Sequence, residues 1–178
     1  MIIALSSAYV LSSATASALR PGIPDTAGYS TPTYQIEDAT TSWVRAVTEK
    51  NNPRLVTDQF CSDGILWGTV SQSIRGGASG GGNEVGGDIE RYFDFFAKIP
   101  GIRVKKAEDN IQKVTSNVYV NNANVKWFYD GLEEPLNARM TFIYRRDASH
   151  SNGWCIFELH SSSMPDMNAD LKAISDQA

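Results

Sequence analysis

Apolar positions change their period several times along the chain. From Ile36 to Lys50, the residues Ile36, Ala39, Trp43, Val44, Ala46 and Val47 recur near 3.6 spacing, which predicts an amphipathic helix with its indole inward. Pro53 suits the first turn of a second short helix reaching Phe60. Ile65 to Ser71 reads as a strand. Asp88 to Ile99 returns to helical spacing through Ile89, Tyr92, Phe93 and Phe96, and Pro100-Gly101 ends it. Four strand-like runs follow: Ile102 to Val114, Val118 to Tyr129, Leu136 to Arg146 and Gly153 to Ser162. Short polar turns separate them, so they are expected to pair as antiparallel neighbours. A polar tail carrying Met167, Leu171 and Ile174 has the pattern of a last short helix.

Between the first strand and the third helix, Gly76 to Gly87 holds seven glycines in twelve residues, which predicts a loop. No GxxxxGK[ST] string accompanies it, so the loop lacks the lysine of a phosphate cradle. The order of helix, helix, strand, helix and four strands predicts an α+β domain with helices on one face of a curved antiparallel sheet. This is the order of the cone-shaped nuclear transport factor 2-like and cystatin-like folds. Enzymes, carriers and oligomerisation modules all use that architecture, so it does not choose a function.

The first residues read as an address. Ile2 to Leu11 is apolar but too short to span a bilayer, and the small residues from Ser12 to Ala18 supply a cleavage pattern, giving a signal peptide over residues 1–18. Ala16-Ser17-Ala18-Leu19-Arg20-Pro21 resembles the ASAFAP-type junction of plastid-targeted proteins in algae with secondary plastids, with Leu19 at the aromatic position. That resemblance implies an algal plastid reached by a secretory-type route, the alternative being a secreted or endomembrane location. Residues 19–34 read as a transit or linker segment and 35–178 as one folded domain, with no membrane association in the mature form.

Charge removes one class of partner. Sixteen Lys and Arg stand against twenty Asp and Glu, a net charge of -4, so there is no basic field for a nucleic acid. With 2 His, no three-histidine zinc site can be built; the remaining zinc set, Cys61, Cys155, His150 and His160, has neither CxxC nor HxxxH spacing. GxSxG, HExxH and dinucleotide fingerprints are also missing.

Strict alternation along the last strand places Trp154, Ile156, Glu158, His160 and Ser162 on one face, and Cys155, Phe157, Leu159 and Ser161 on the other. If the first face lines a cavity, His160 is a titratable base beside the Ser162 hydroxyl; otherwise it is a structural, hydrogen-bonded histidine. In the first strand Thr69 follows Gly68, which lets the backbone or a ligand approach closely. Tyr92 on the third helix reads first as a core aromatic with its hydroxyl satisfied at the rim.

Two strings raise these signals. Asp63-Gly64-Ile65-Leu66-Trp67-Gly68-Thr69-Val70-Ser71 with Ile74-Arg75, and Arg139-Met140-Thr141-Phe142-Ile143-Tyr144-Arg145-Arg146 running on to His160-Ser161-Ser162-Ser163-Met164-Pro165, resemble the calcium/calmodulin-dependent protein kinase II association-domain family. More narrowly, they resemble the iota-class carbonic anhydrases. The resemblance spans residues 36–165 and implies reversible hydration of carbon dioxide to bicarbonate in a small polar pocket. By position it implies Thr69, Tyr92, His160 and Ser162 as site residues and no cofactor, with manganese or zinc left to be tested. A curved sheet covered by helices on one side leaves its outer face needing a partner, which predicts a homo-oligomer, a dimer or higher. Members often carry a histidine run before the two serines, where this chain has Glu158 and Leu159.

Two rival readings stay open. One is a non-catalytic oligomerisation or small-ligand module; no calmodulin-target helix or kinase segment accompanies it. The other is an isomerase-like enzyme using Glu158 as base in a cavity of several hundred cubic ångströms.

Overall fold

A computed structural model describes residues 31–71, 73–76 and 89–164. The expected signal peptide, most of the linker, most of the glycine-rich loop and the last short helix lie outside the described residues. Helix α1 (Pro32–Thr48) opens with proline, whose missing N–H is no loss in a first turn, and buries Ile36, Ala39, Thr40, Trp43, Ala46 and Val47. It begins three residues before Gln35, so residues 32–34 belong to the helix rather than to a linker. The Gln35 side-chain oxygen accepts a 2.9 Å hydrogen bond from the Trp154 indole.

Helix α2 (Pro53–Thr57) is capped by the Asn52 side chain, which accepts from the amides of Arg54 and Leu55. It stops short of Phe60, which instead opens strand β1 (Phe60–Trp67). The strand starts early because a distant partner holds it: Phe60 lies beside Ile156, and Cys61 is disulfide-bonded to Cys155, 94 residues away. It also ends early. The chain turns at residues 68–71, with the Ser71 amide bonded to the Gly68 carbonyl at 3.0 Å, and β2 (Ile74–Gly76) returns antiparallel to β1. Thr69 and Ser71 are therefore turn residues, not members of the strand.

Helix α3 (Ile89–Phe96) buries Ile89, Tyr92, Phe93 and Phe96. Strands β3 (Arg103–Lys113), β4 (Val118–Phe128), β5 (Leu136–Arg146) and β6 (Trp154–Ser163) follow. They pair antiparallel in sequence order, as the polar turns predict. The six-stranded sheet runs β2-β1-β6-β5-β4-β3, with β1 parallel to β6.

The helices cover one face, and aromatic rings fill the space between. Trp43 meets Phe93 and Phe142 edge-on at 5.8 and 5.3 Å, and Phe96 meets Trp127 at 5.1 Å. One polar knot sits in this core. The Thr40 hydroxyl donates to the Ile36 carbonyl and accepts from the Asn121 amide and the Tyr144 phenol. Burial holds that phenol protonated far above the usual tyrosine range.

Strand β6 carries an irregularity that matters for the site. Ile143 stands opposite Glu158, whereas the next residue, Tyr144, stands opposite Ile156, leaving Phe157 as an extra residue. Parity flips there. Trp154 and Ile156 face the core before the bulge, and Leu159 and Ser161 face it afterwards.

Candidate functional site

The bulge corrects the simple alternation. Glu158, His160 and Ser162 do not share a face with Trp154 and Ile156; they lie on the outer side of the sheet, opposite Ile143, Thr141 and Arg139 of β5. His160 is exposed and meets Trp67 edge-on at 6.2 Å. Ser162 is half-buried on that same outer face.

The inward hydroxyl is Ser161, whose Oγ shares a short hydrogen bond with Thr69 Oγ1. The turn after β1 brings Thr69 there, because ending the strand at Trp67 frees the chain to bend across the end of β6. Tyr92 reaches the same place from α3. Its phenol oxygen accepts from the backbone amides of Val70 and Thr69 and is hydrogen-bonded to the Thr69 side chain. Burial pushes the Tyr92 pKa up to about 12, so the phenol is a neutral donor at ordinary pH. Gly68 makes this possible, since a Cβ there would collide with the Tyr92 ring.

Of the four residues selected by sequence, the structure thus brings Thr69 and Tyr92 together and sets His160 and Ser162 on the opposite face. Ser161 completes the cluster; its signal was its place on the apolar side of the last strand, where a lone hydroxyl needs a partner. Two residues before it, also inward, stands Leu159, which is fully buried. No histidine faces this cluster among the described residues.

A groove of about 830 Å³ lies on the other side of the tyrosine. Tyr92, Phe96, Trp127, Arg75, Arg91 and Lys98 are among its lining residues, while Thr69 and Ser161 are not. The Arg75 guanidinium sits 5.4 Å from the Tyr92 ring centroid, within cation–π range. The groove is far larger than carbon dioxide requires. Glu158, the base that an isomerase reading needs, is outside it on the outer face.

The metal-capable group among the described residues is Asp147, His150 and Cys155. The Cys155 sulfur is bonded to Cys61, so neither cysteine is free to ligate. Asp147 and His150 alone are too few for a structural zinc site. The His150 ring is instead held by Asp147 at 3.5 Å and the Phe60 carbonyl at 3.3 Å. Among the described residues no helix is long and apolar enough to cross a membrane.

No family model and no curated protein matches the sequence. Solved structures do match. A protein from Xanthomonas campestris, named for the calcium/calmodulin-dependent protein kinase II association domain, is 24% identical with a TM-score of 0.62, over 75% of this chain and 88% of its own. A nuclear transport factor 2-like protein of unknown function from Pseudomonas putida is 14% identical with a TM-score of 0.62, over 82% and 92% of the two chains. A ketosteroid isomerase-named protein from Parabacteroides distasonis is 16% identical with a TM-score of 0.59, over 78% and 92%. The chain has the nuclear transport factor 2-like, cystatin-like fold, which includes proteins named as enzymes and proteins without an assigned activity.

Proposed function

We propose that the protein is a small-ligand module that takes a small oxyanion, bicarbonate first, where Tyr92 meets the groove. The observation that carries this is the Arg75 guanidinium set over the Tyr92 ring in the groove wall, with Arg91 beside it and Lys98 paired with Asp94 at 3.0 Å. A guanidinium is the side chain whose fork of donors matches a planar oxyanion. Carbonic anhydrase activity on the same ligand is the second reading. The meeting of Thr69, Tyr92 and Ser161 favours it, because hydroxyl donors can stabilise charge developing on carbon dioxide oxygens. A base is what it lacks: His160 is across the sheet and Leu159 holds the inward position.

Two measurements on chelator-treated protein separate these readings. Bicarbonate titration followed by 13C NMR is expected to saturate, and to weaken at least about tenfold in Arg75→Gln. Carbon dioxide hydration is expected to stay near the buffer rate and to be indifferent to His160→Ala. Hydration well above buffer would install the enzyme reading, and no saturable bicarbonate binding would remove the module reading.

We further propose a homodimer through the outer face of the sheet. Ile65, Val120 and Ile143 lie in one cross-strand row there, interrupted by Glu158, with Trp67 in the next row and Arg139 in the row beyond it. A two-fold axis can set Glu158 of one copy against Arg139 of the other while covering the apolar positions. Light scattering at micromolar concentration is expected to give twice the chain mass, and a monomer mass would refute the dimer. For location, the proposal remains an algal plastid entered by a secretory-type route; the buried disulfide supports passage through an oxidising compartment.

A further inference from the structure

Phe95 and Val70 are 66% and 56% exposed, and both line the groove beside Tyr92. The half-buried Ile99 and Leu136 continue the same apolar wall. Single exposed apolar side chains are ordinary, but several gathered in one concave wall mark a surface that receives something. Charge narrows what it receives. Three cations, Arg75, Arg91 and Lys98, stand in the wall against the carboxylates of Asp94 and Asp130, so the occupant that fits is apolar with an acidic flank.

The end of the sheet delivers such a segment to the rim. The Met164 amide donates to the Asn137 carbonyl at 2.8 Å, and Ser163 stands opposite Ala138. Carried two residues further, that register reaches Leu136, which belongs to the groove. The tail that follows has the matching pattern. Met167, Leu171 and Ile174 stand at i, i+4 and i+7, one face of two helical turns about 10 Å long. At helical spacing Asp166 and Asp170 border that stripe on one side, whereas Lys172 is turned away from it.

Other segments of the chain fit less well. The first thirty residues join the fold at the start of α1, where Gln35 is bonded to Trp154, at the opposite end of β6 from Met164. Residues 77–88 adjoin the groove in sequence but carry only Ala78 and Val85 as apolar side chains, too little to cover it.

We infer that the groove is the docking site of the chain's own C-terminal segment, residues 166–174, with Met167, Leu171 and Ile174 against Phe95, Ile99 and Val70 and the two aspartates toward Arg75 and Arg91. The inference goes beyond the bicarbonate reading and does not require it.

A nitroxide on Ala169→Cys, on the side of the tail away from the apolar stripe, tests this in the full chain. Cys61 and Cys155 are bonded to each other, so the introduced thiol is the one that takes the label. The amide signals of Phe95 and Ile99 are expected to lose intensity, while those of Val118 and Arg145, at the far end of β4 and β5, keep theirs. Tethering alone brings the label near the rim, so the decisive comparison is with variants. Leu171→Asp with Ile174→Asp, or Phe95→Ser at an exposed position, is expected to restore the Phe95 and Ile99 region, with the dispersion of the remaining signals checking the fold. Because one pair of changes lies beyond the last strand, the comparison survives a failure of the other variant to fold. No loss of intensity, or a loss that these substitutions leave unchanged, would overturn the docking. Loss of intensity in 15N-labelled protein mixed with spin-labelled protein would assign the groove to the tail of a second copy and overturn the claim for the chain's own. No bicarbonate enters the experiment, so this inference and the bicarbonate reading can each fail alone.

Discussion

Replacing Cys61 and Cys155 together by alanine is expected to lower the unfolding free energy by about 2–5 kcal/mol. The pair closes a loop of 94 residues, and the chain-entropy argument puts a loop near that length at about 4.7 kcal/mol. The bond also has a specific place. It fastens β1 to β6 at the sheet's parallel pairing, just where the register shifts between Phe60 and Ile65. Both cysteines are fully buried, so the variant loses close packing as well as the cross-link. Urea unfolding of the oxidised protein and the double variant measures the difference. A change below about 0.5 kcal/mol would show that the β1–β6 pairing holds without the bond. Because Arg75 on β2 is paired with Leu66 of β1, the same variant is expected to weaken bicarbonate binding along with the fold.

Leu159→His is expected to raise carbon dioxide hydration about a hundredfold, the lower end of what a positioned general base contributes. The argument is one of parity. After the bulge, Leu159 and Ser161 point the same way, and Ser161 is bonded to Thr69 in the hydroxyl cluster. An imidazole at residue 159 therefore enters the inner layer beside donors able to hold the developing charge, whereas His160 cannot. The histidine run in the resembling sequences covers residues 158 and 159 here, and only 159 faces inward. A buried histidine costs stability, so melting is recorded on the same sample and the rate referred to folded protein. A folded Leu159→His protein at the unmodified rate would show that the cluster is not a hydration site even when supplied with a base.

The helices were legible because their period is local. Ile36, Trp43 and Val47 repeat a turn apart and are buried as the spacing predicts, and Pro53 sits in a first turn for reasons internal to the peptide. The last three hairpins were legible for the same reason: each strand and turn is contiguous. The start of β1 was not, because Phe60 and Cys61 take extended conformation beside residues almost a hundred positions away. The candidate site divided along the same line. Gly68 announced a close approach, and the Tyr92 ring makes it. Thr69 was found by its string, but choosing between Ser161 and Ser162 required knowing the facing of β6. That facing depends on Phe157, a residue nothing in its own neighbourhood marks as unpaired.

The bulge at Phe157 also makes the end of this strand sensitive to a slip of one residue. Straightening it, so that Phe157 takes its own partner on β5 opposite Ile143, would shift every later residue by one and turn the strand's end over. His160 and Ser162 would then enter the protein, and Leu159 and Ser161 would leave it. Deleting Phe157 would do the opposite, restoring plain alternation while Glu158, Leu159 and His160 keep their partners and their faces. Roles carried between relatives by aligned letters alone are safe only where both chains place the extra residue at the same point of this strand.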